Sequence, residues 1–152
     1  MSASFTVPSD YHYVVASLAL PAAVAWTQAF FVGRYRKRAK VEYPQMYADQ
    51  KQVEASRDAY FYNCAQRVHQ NTLEAIATLV PSVAITGLEY PRIAAGICVV
   101  WTLSRIPYTI GYMSGDPQAR GRKGGGVGIL SNFVLSFATV FVAARRLYNA
   151  KF

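Results

Sequence analysis

Four stretches of this chain are apolar enough to be buried, and three hydrophilic connections separate them. Residues 11–33 run for 23 positions without Asp, Glu, Lys or Arg, and residues 124–144 run for 21. Residues 75–88 continue a segment that begins near Tyr60, and residues 93–104 continue through Arg105 to Met113. A helix rises ~1.5 Å per residue, so roughly 20 residues cross a hydrocarbon core ~30 Å thick. The first and fourth segments reach that length unaided. The second and third reach it only if their polar residues face protein rather than lipid. A helix of a soluble bundle would carry a polar stripe at helical spacing, whereas "YVVASLALPAAVAWTQAFFVG" is apolar on all sides. That stretch lacks the basic flank of a signal peptide and is longer than its apolar region, so it reads as a retained span.

The pattern predicts an all-α integral membrane four-helix bundle, one domain over residues 1–152, with spans at about 11–36, 58–87, 91–113 and 124–148. The turn between the second and third helices is short, "GLEYPR", with Pro91 suited to a first helical turn. "MSGDPQARGRKGGG" reads as a loop from its Gly and Pro content. The longest connection, "YRKRAKVEYPQMYADQKQVEASRD", joins the first two helices. Pro21, Pro81 and Pro107 fall inside spans, where each is expected to kink its helix locally.

Composition agrees. The chain is 53% hydrophobic and only 16% charged, against about 25% charged in ordinary globular proteins. The net charge of +8 has a topological explanation. Arg34, Arg36, Lys37, Arg38, Lys40, Lys51 and Arg57 lie in the first connection, and Arg120, Arg122 and Lys123 in the third. The opposite side holds Arg92, Arg145, Arg146 and Lys151. The positive-inside rule then places the first and third connections in the cytosol and both termini outside it. No nucleic-acid partner is needed to account for the charge. Cys64 and Cys98 lie in or near spans without metal-ligand spacing, and read as small buried hydrophobes rather than a disulfide.

The segment "QRVHQNTLE" places Arg67, Asn71 and Glu74 at i, i+4 and i+7, one face of a helix. Arg105, Tyr108 and Tyr112 repeat that arrangement at i, i+3 and i+7 in the third segment. Both faces lie toward the cytosolic side, where together they would form a polar pocket roofed by basic loops. One reading is structural: an Arg–Glu pair locking two helices, with tyrosines at the membrane interface. Ionisable groups in a span are costly, however, and usually mark a site. Arg67 offers a bidentate fork for a carboxylate, Glu74 an acceptor for an ammonium group, and Asn71 both a donor and an acceptor. The set suits a small zwitterion with an additional carboxylate.

"QRVHQNTLE", with "KVEYP" upstream and "YPRIAAG" and "RIPYTIGYMSGDP" downstream, closely resembles the membrane-associated eicosanoid and glutathione metabolism family. The resemblance runs from about Lys37 to Gly128. It implies four membrane helices assembled as a homotrimer in the endoplasmic reticulum membrane, with glutathione bound as cosubstrate between neighbouring subunits near the cytosolic face. The family pattern Arg-x-x-x-Asn-x-x-Glu falls on Arg67, Asn71 and Glu74, and its tyrosine pair on Tyr108 and Tyr112. Arg36 matches an arginine at the basic end of the first helix, and His69 stands where relatives often carry Gln. Ala75 departs from relatives that have Tyr there. The thiolate-stabilising arginine falls on Arg120, with Arg122 the second candidate because "GDPQARGRK" is about one residue longer than in one branch. "KVEYP" suggests no chemistry of its own and is expected to set the path of the long connection.

The implied activity is that of a membrane-bound glutathione-dependent transferase and peroxidase. The thiolate is the nucleophile, and a guanidinium beside it favours the charged form. The partners are membrane lipid and a lipophilic electrophile or hydroperoxide, and no metal is required. Two other readings are a non-catalytic trimeric lipid-binding scaffold and a structural subunit of a membrane complex.

Overall fold

The computed structural model describes residues 7–149, and all regular structure within them is helical. Lys151, read above, lies outside the described residues. The helices are α1 (Tyr11–Ala39), α2 (Gln50–Ala55), α3 (Arg57–Thr86), α4 (Pro91–Tyr112) and α5 (Gly126–Asn149). Each of the four expected segments falls on one long helix. Helix α1 runs on through Lys37 and Arg38 to a left-handed cap at Lys40, whose N–H reaches the Arg36 and Lys37 carbonyls. Helix α5 begins at Gly126, two residues later than the expected 124, after a kinked turn, Gly121–Gly125, whose backbone leaves helical geometry at Lys123 and Gly124.

Helix α2 was not legible in the pattern. It is six residues long and held by a reciprocal cap, in which Asp49 accepts from the Gln52 N–H and the Gln52 side chain accepts from the Asp49 N–H. Ser56 then caps α3, its hydroxyl accepting from the Ala59 N–H.

Among the described residues three segments are long and apolar enough to cross a membrane: α1, α4, and α5 with its preceding turn. The chain therefore has the character of a multi-pass membrane protein. Helix α3 falls short on composition, because Arg67, His69, Gln70, Asn71 and Glu74 interrupt its apolar run.

Helices α3 and α4 pack on each other, and both α1 and α5 pack on each of them, while α1 and α5 do not meet among the described residues. The central pair therefore has most of its surface covered. Val14, Leu79, Val83, Ala94, Cys98, Trp101 and Leu135 form the main core. Trp101 is fully buried, whereas Trp26 points outward at 78% exposure. Both cysteines are buried and free. At the end of the bundle with the short α3–α4 turn, the cations are paired: Arg92 with Asp10 at 2.8 Å, and Arg145 and Arg146 with Glu89 at 3.0 and 3.6 Å.

The opposite end carries the long connections. Here Arg36 donates to the Gln45 carbonyl at 2.7 Å and the Val41 carbonyl at 3.3 Å. Its guanidinium lies 4.3 Å from the Tyr43 ring centroid and 4.9 Å from that of Tyr62. Val41 and Ala48 are buried against Ala59 and Tyr62. "KVEYP" thus does direct the chain, folding it back onto α3.

The turn before α5 holds Arg120 in place, and Gly124 makes that turn possible. Its φ is +100°, and an added Cβ would stand 2.5 Å from the Ser104 carbonyl oxygen of α4. Gly124→Ala is expected to lower stability by about 2 kcal/mol or more. Thermal unfolding of the purified protein in detergent measures it; an unchanged midpoint contradicts this account of the turn.

Candidate functional site

Polar side chains of α3 and α4 meet at the end of the bundle that carries the long connections. Asn71 Nδ2 donates to the Tyr108 hydroxyl oxygen at 2.9 Å, joining the two helices. One turn along α4, the Tyr112 ring lies 6.1 Å from that of Tyr108. Across the turn, the Arg120 guanidinium sits over the Tyr112 ring at 5.1 Å. Arg120 Nη1 also donates to the Pro117 carbonyl at 2.9 Å, which anchors one edge of the fork. Arg120, Tyr112, Tyr108 and Asn71 therefore form an unbroken run of contacts across three segments of chain.

Arg67 and Glu74 flank Asn71 on the same face of α3. They approach each other at 3.5 Å, and both side chains are roughly half exposed. Such a pair contributes little to stability, about 0–1 kcal/mol. An exposed, weakly coupled Arg–Glu pair costs little to separate, so both groups can turn to a ligand of matching charge.

The remaining expected residues lie elsewhere. Arg36 is committed to the Val41 and Gln45 carbonyls. His69 lies two residues from both Arg67 and Asn71, on a different face of α3, and its buried Nδ1 has no hydrogen-bond partner. Arg122 is exposed and pairs with Asp116 at 3.7 Å, so Arg120 is the arginine that reaches the tyrosines. Arg105 shares a helix face with Tyr108 and Tyr112, yet it is buried at 5% exposure against Trp101. It is not part of the exposed Arg67–Glu74 group.

Three neighbours escaped the pattern. The Tyr47 hydroxyl bonds to Gln70 Oε1 and lies within hydrogen-bonding reach of Arg67. It is set there by its flanks: Tyr62 donates to the Met46 carbonyl at 2.6 Å, and Asn63 makes two bonds to the Ala48 backbone at 2.8 and 2.9 Å. Nothing in the spacing of a connection reveals such a contact. Tyr60 and Cys64 touch each other, and Tyr60 donates to the Gly115 carbonyl at 3.2 Å. Cys64, Arg67, Asn71 and Glu74 are spaced i, i+3, i+7 and i+10, so helical periodicity alone would have placed Cys64 on this face.

Among the described residues no group of three or more His, Cys, Asp or Glu side chains is arranged to hold a metal ion. The exposed groups on this face of α3, Arg67 and Glu74, carry opposite charges.

If the α3–α4 bond is a true coupling, truncating both partners should cost less than the two single changes added together. For Asn71→Ala and Tyr108→Phe, the interaction energy expected is about 0.5–1.5 kcal/mol, read from unfolding of the four proteins of the cycle. A value of zero removes the bond as a link between the helices. In comparison with known proteins, the MAPEG family model matches this chain over residues 13–148.

Proposed function

This chain belongs to the MAPEG family, whose members are membrane glutathione transferases, peroxidases or related eicosanoid enzymes, and from that premise we propose that it is a membrane-bound glutathione transferase and peroxidase of the branch typified by microsomal glutathione S-transferase 3. One observation carries the reading: the Arg120–Tyr112–Tyr108–Asn71 run, adjoining the separable Arg67–Glu74 pair, offers complementary groups for a carboxylate, the ammonium group and the sulfur of glutathione.

Arg67 binds a glutathione carboxylate with its planar fork. Glu74 holds the ammonium group, and Asn71 binds the peptide while fixing Tyr108. Arg120 acts on the sulfur. A guanidinium at the edge of a low-dielectric region favours the thiolate over the thiol. Each unit by which it lowers the thiol pKa corresponds to about 1.4 kcal/mol. Glutathione supplies the nucleophile, which forms a thioether with an electrophilic carbon by displacing its leaving group or opening an epoxide. With a lipid hydroperoxide it attacks the terminal oxygen, the O–O bond breaks to release the alcohol, and a second glutathione converts the resulting sulfenic acid to glutathione disulfide and water. A site at the rim of apolar helices lets a water-soluble thiol meet a bilayer-dissolved substrate.

In this proposal α3 is the fourth membrane helix. Its polar residues face protein and ligand rather than lipid, which offsets the composition that sets it apart from the other three. The chain is one domain, assembles as a homotrimer and lies in the endoplasmic reticulum membrane. Its basic connections face the cytosol and its termini the lumen. In this proposal Arg36 and His69 also belong to the glutathione-binding set, contributing from outside the Arg67–Glu74 pair.

The test is the ultraviolet absorbance of thiolate on adding glutathione to the purified protein in detergent. The wild type should develop the signal at neutral pH. Arg120→Ala should move the titration midpoint up by at least about one pH unit, ~1.4 kcal/mol, while retaining most glutathione binding. Arg122→Ala should leave it in place. A wild type that neither binds glutathione nor ionises it overturns the enzymatic reading, and loss of signal in Arg122→Ala instead moves the catalytic role two residues.

A further inference from the structure

The connection between α1 and α2 places one side chain at the site that the glutathione reading leaves without a role. Tyr47 reaches onto α3, where its hydroxyl meets Gln70 Oε1 and lies within hydrogen-bonding reach of Arg67. Arg67, Gln70, Asn71 and Glu74 are spaced i, i+3, i+4 and i+7. Tyr47 therefore stands against the face of α3 that carries the charged pair.

Hydrogen-bond accounting gives each group its part. A tyrosine hydroxyl has one proton and an amide oxygen can only accept, so that proton goes to Gln70. A guanidinium can only donate, so the Tyr47 oxygen accepts from Arg67. Arg67 also faces Glu74 at 3.5 Å. When an ammonium group draws Glu74 away, Tyr47 still keeps the guanidinium from swinging into water.

Tyr47 can act as a fixed point because the chain on both sides of it is held. Before it, Arg36 of α1 donates to the Gln45 carbonyl at 2.7 Å, and Tyr62 of α3 to the Met46 carbonyl at 2.6 Å. The Gln45 side chain donates to Gln52 Oε1 of α2 at 2.6 Å. After it, Asn63 of α3 accepts from the Ala48 N–H at 2.8 Å and donates to the Ala48 carbonyl at 2.9 Å. Three helices thus fix the backbone that carries the tyrosine. Arg67, by contrast, is a long side chain, roughly half exposed, and would lose rotamer freedom on binding unless something already held it.

We infer that Tyr47 is a positioning residue for the thiol cosubstrate: its hydroxyl oxygen holds one N–H of Arg67, so that the rest of the fork is presented to a carboxylate. The inference rests on the reading of Arg67 as the site of a glutathione carboxylate. Tyr47 acts through Arg67 and has no part in ionising the sulfur, which is the work of Arg120.

Tyr47→Phe removes the hydroxyl and keeps the ring and every anchor of the connection. Calorimetric titration of the purified full chain in detergent compares three ligands. They are glutathione, γ-glutamylcysteine, which lacks the glycine carboxylate, and 4-aminobutyryl-cysteinylglycine, which lacks the other carboxylate. Tyr47→Phe should bind glutathione about tenfold more weakly than the wild type, ~1.4 kcal/mol. The same loss should persist with one truncated ligand and vanish with the other, the one missing the carboxylate that Arg67 holds. The thiolate titration midpoint of bound glutathione should stay in place. A general loosening of the connection would weaken all three ligands alike, and that result overturns the inference. Wild-type affinity for glutathione in Tyr47→Phe overturns it too, as does a shifted thiolate midpoint. A wild type that binds no glutathione overturns the reading of Arg67 itself, so the two failures are distinguishable.

Discussion

Everything at the polar end of this bundle depends on how α3 satisfies its polar groups. Asn71 donates to the Tyr108 hydroxyl, and that bond links the two central helices where their surfaces are least hydrophobic. It also sets the chemistry available beside it. With its oxygen occupied as an acceptor, Tyr108 keeps its own proton for a partner outside the pair. Arg67 and Glu74 stay exposed and weakly coupled on either side. A tighter, drier ion pair would have locked the helices and left nothing free to meet a ligand.

The two ends of the bundle use charge in opposite ways. Near the α3–α4 turn, Asp10 and Glu89 neutralise Arg92, Arg145 and Arg146 at short range, so charge there closes the structure. At the other end Arg36 spends its donors on backbone carbonyls, and Arg120 stacks on an aromatic face. Cations held by carbonyls and rings are positioned without being neutralised. That arrangement keeps a positive field over the tyrosine pair, which a thiolate at this rim would sense.

Buried polarity also occurs away from that rim. Arg105, Thr109 and Gln28 form a connected group between α1 and α4 with one donor and one acceptor left over. Gly128 allows α5 to close against the guanidinium without expelling it. Such groups are retained in apolar surroundings when something compensates them, and for Arg105 the Trp101 and Tyr108 rings supply part of that compensation.

The sequence by itself determined the helices and one face of the site. Long uncharged runs exclude a soluble bundle because no polar stripe is available for water. The i, i+4, i+7 spacing of Arg67, Asn71 and Glu74 requires a shared face on any helix. The separation of Tyr108 from Tyr112 likewise sets them one turn apart. Only tertiary structure decided which of these groups meet across helices and which turn away. Arg105 has the same spacing to the tyrosines as a site residue, yet Gly128 on a distant helix draws it into the interior. Arg120 and Arg122 are alike by composition, and the kinked turn at Gly124 settles which one lies over Tyr112. Tyr47 joins Arg67 because Tyr62 and Asn63 pin its neighbours. Periodicity describes one element at a time, whereas the direction of a side chain depends on the space its neighbours leave.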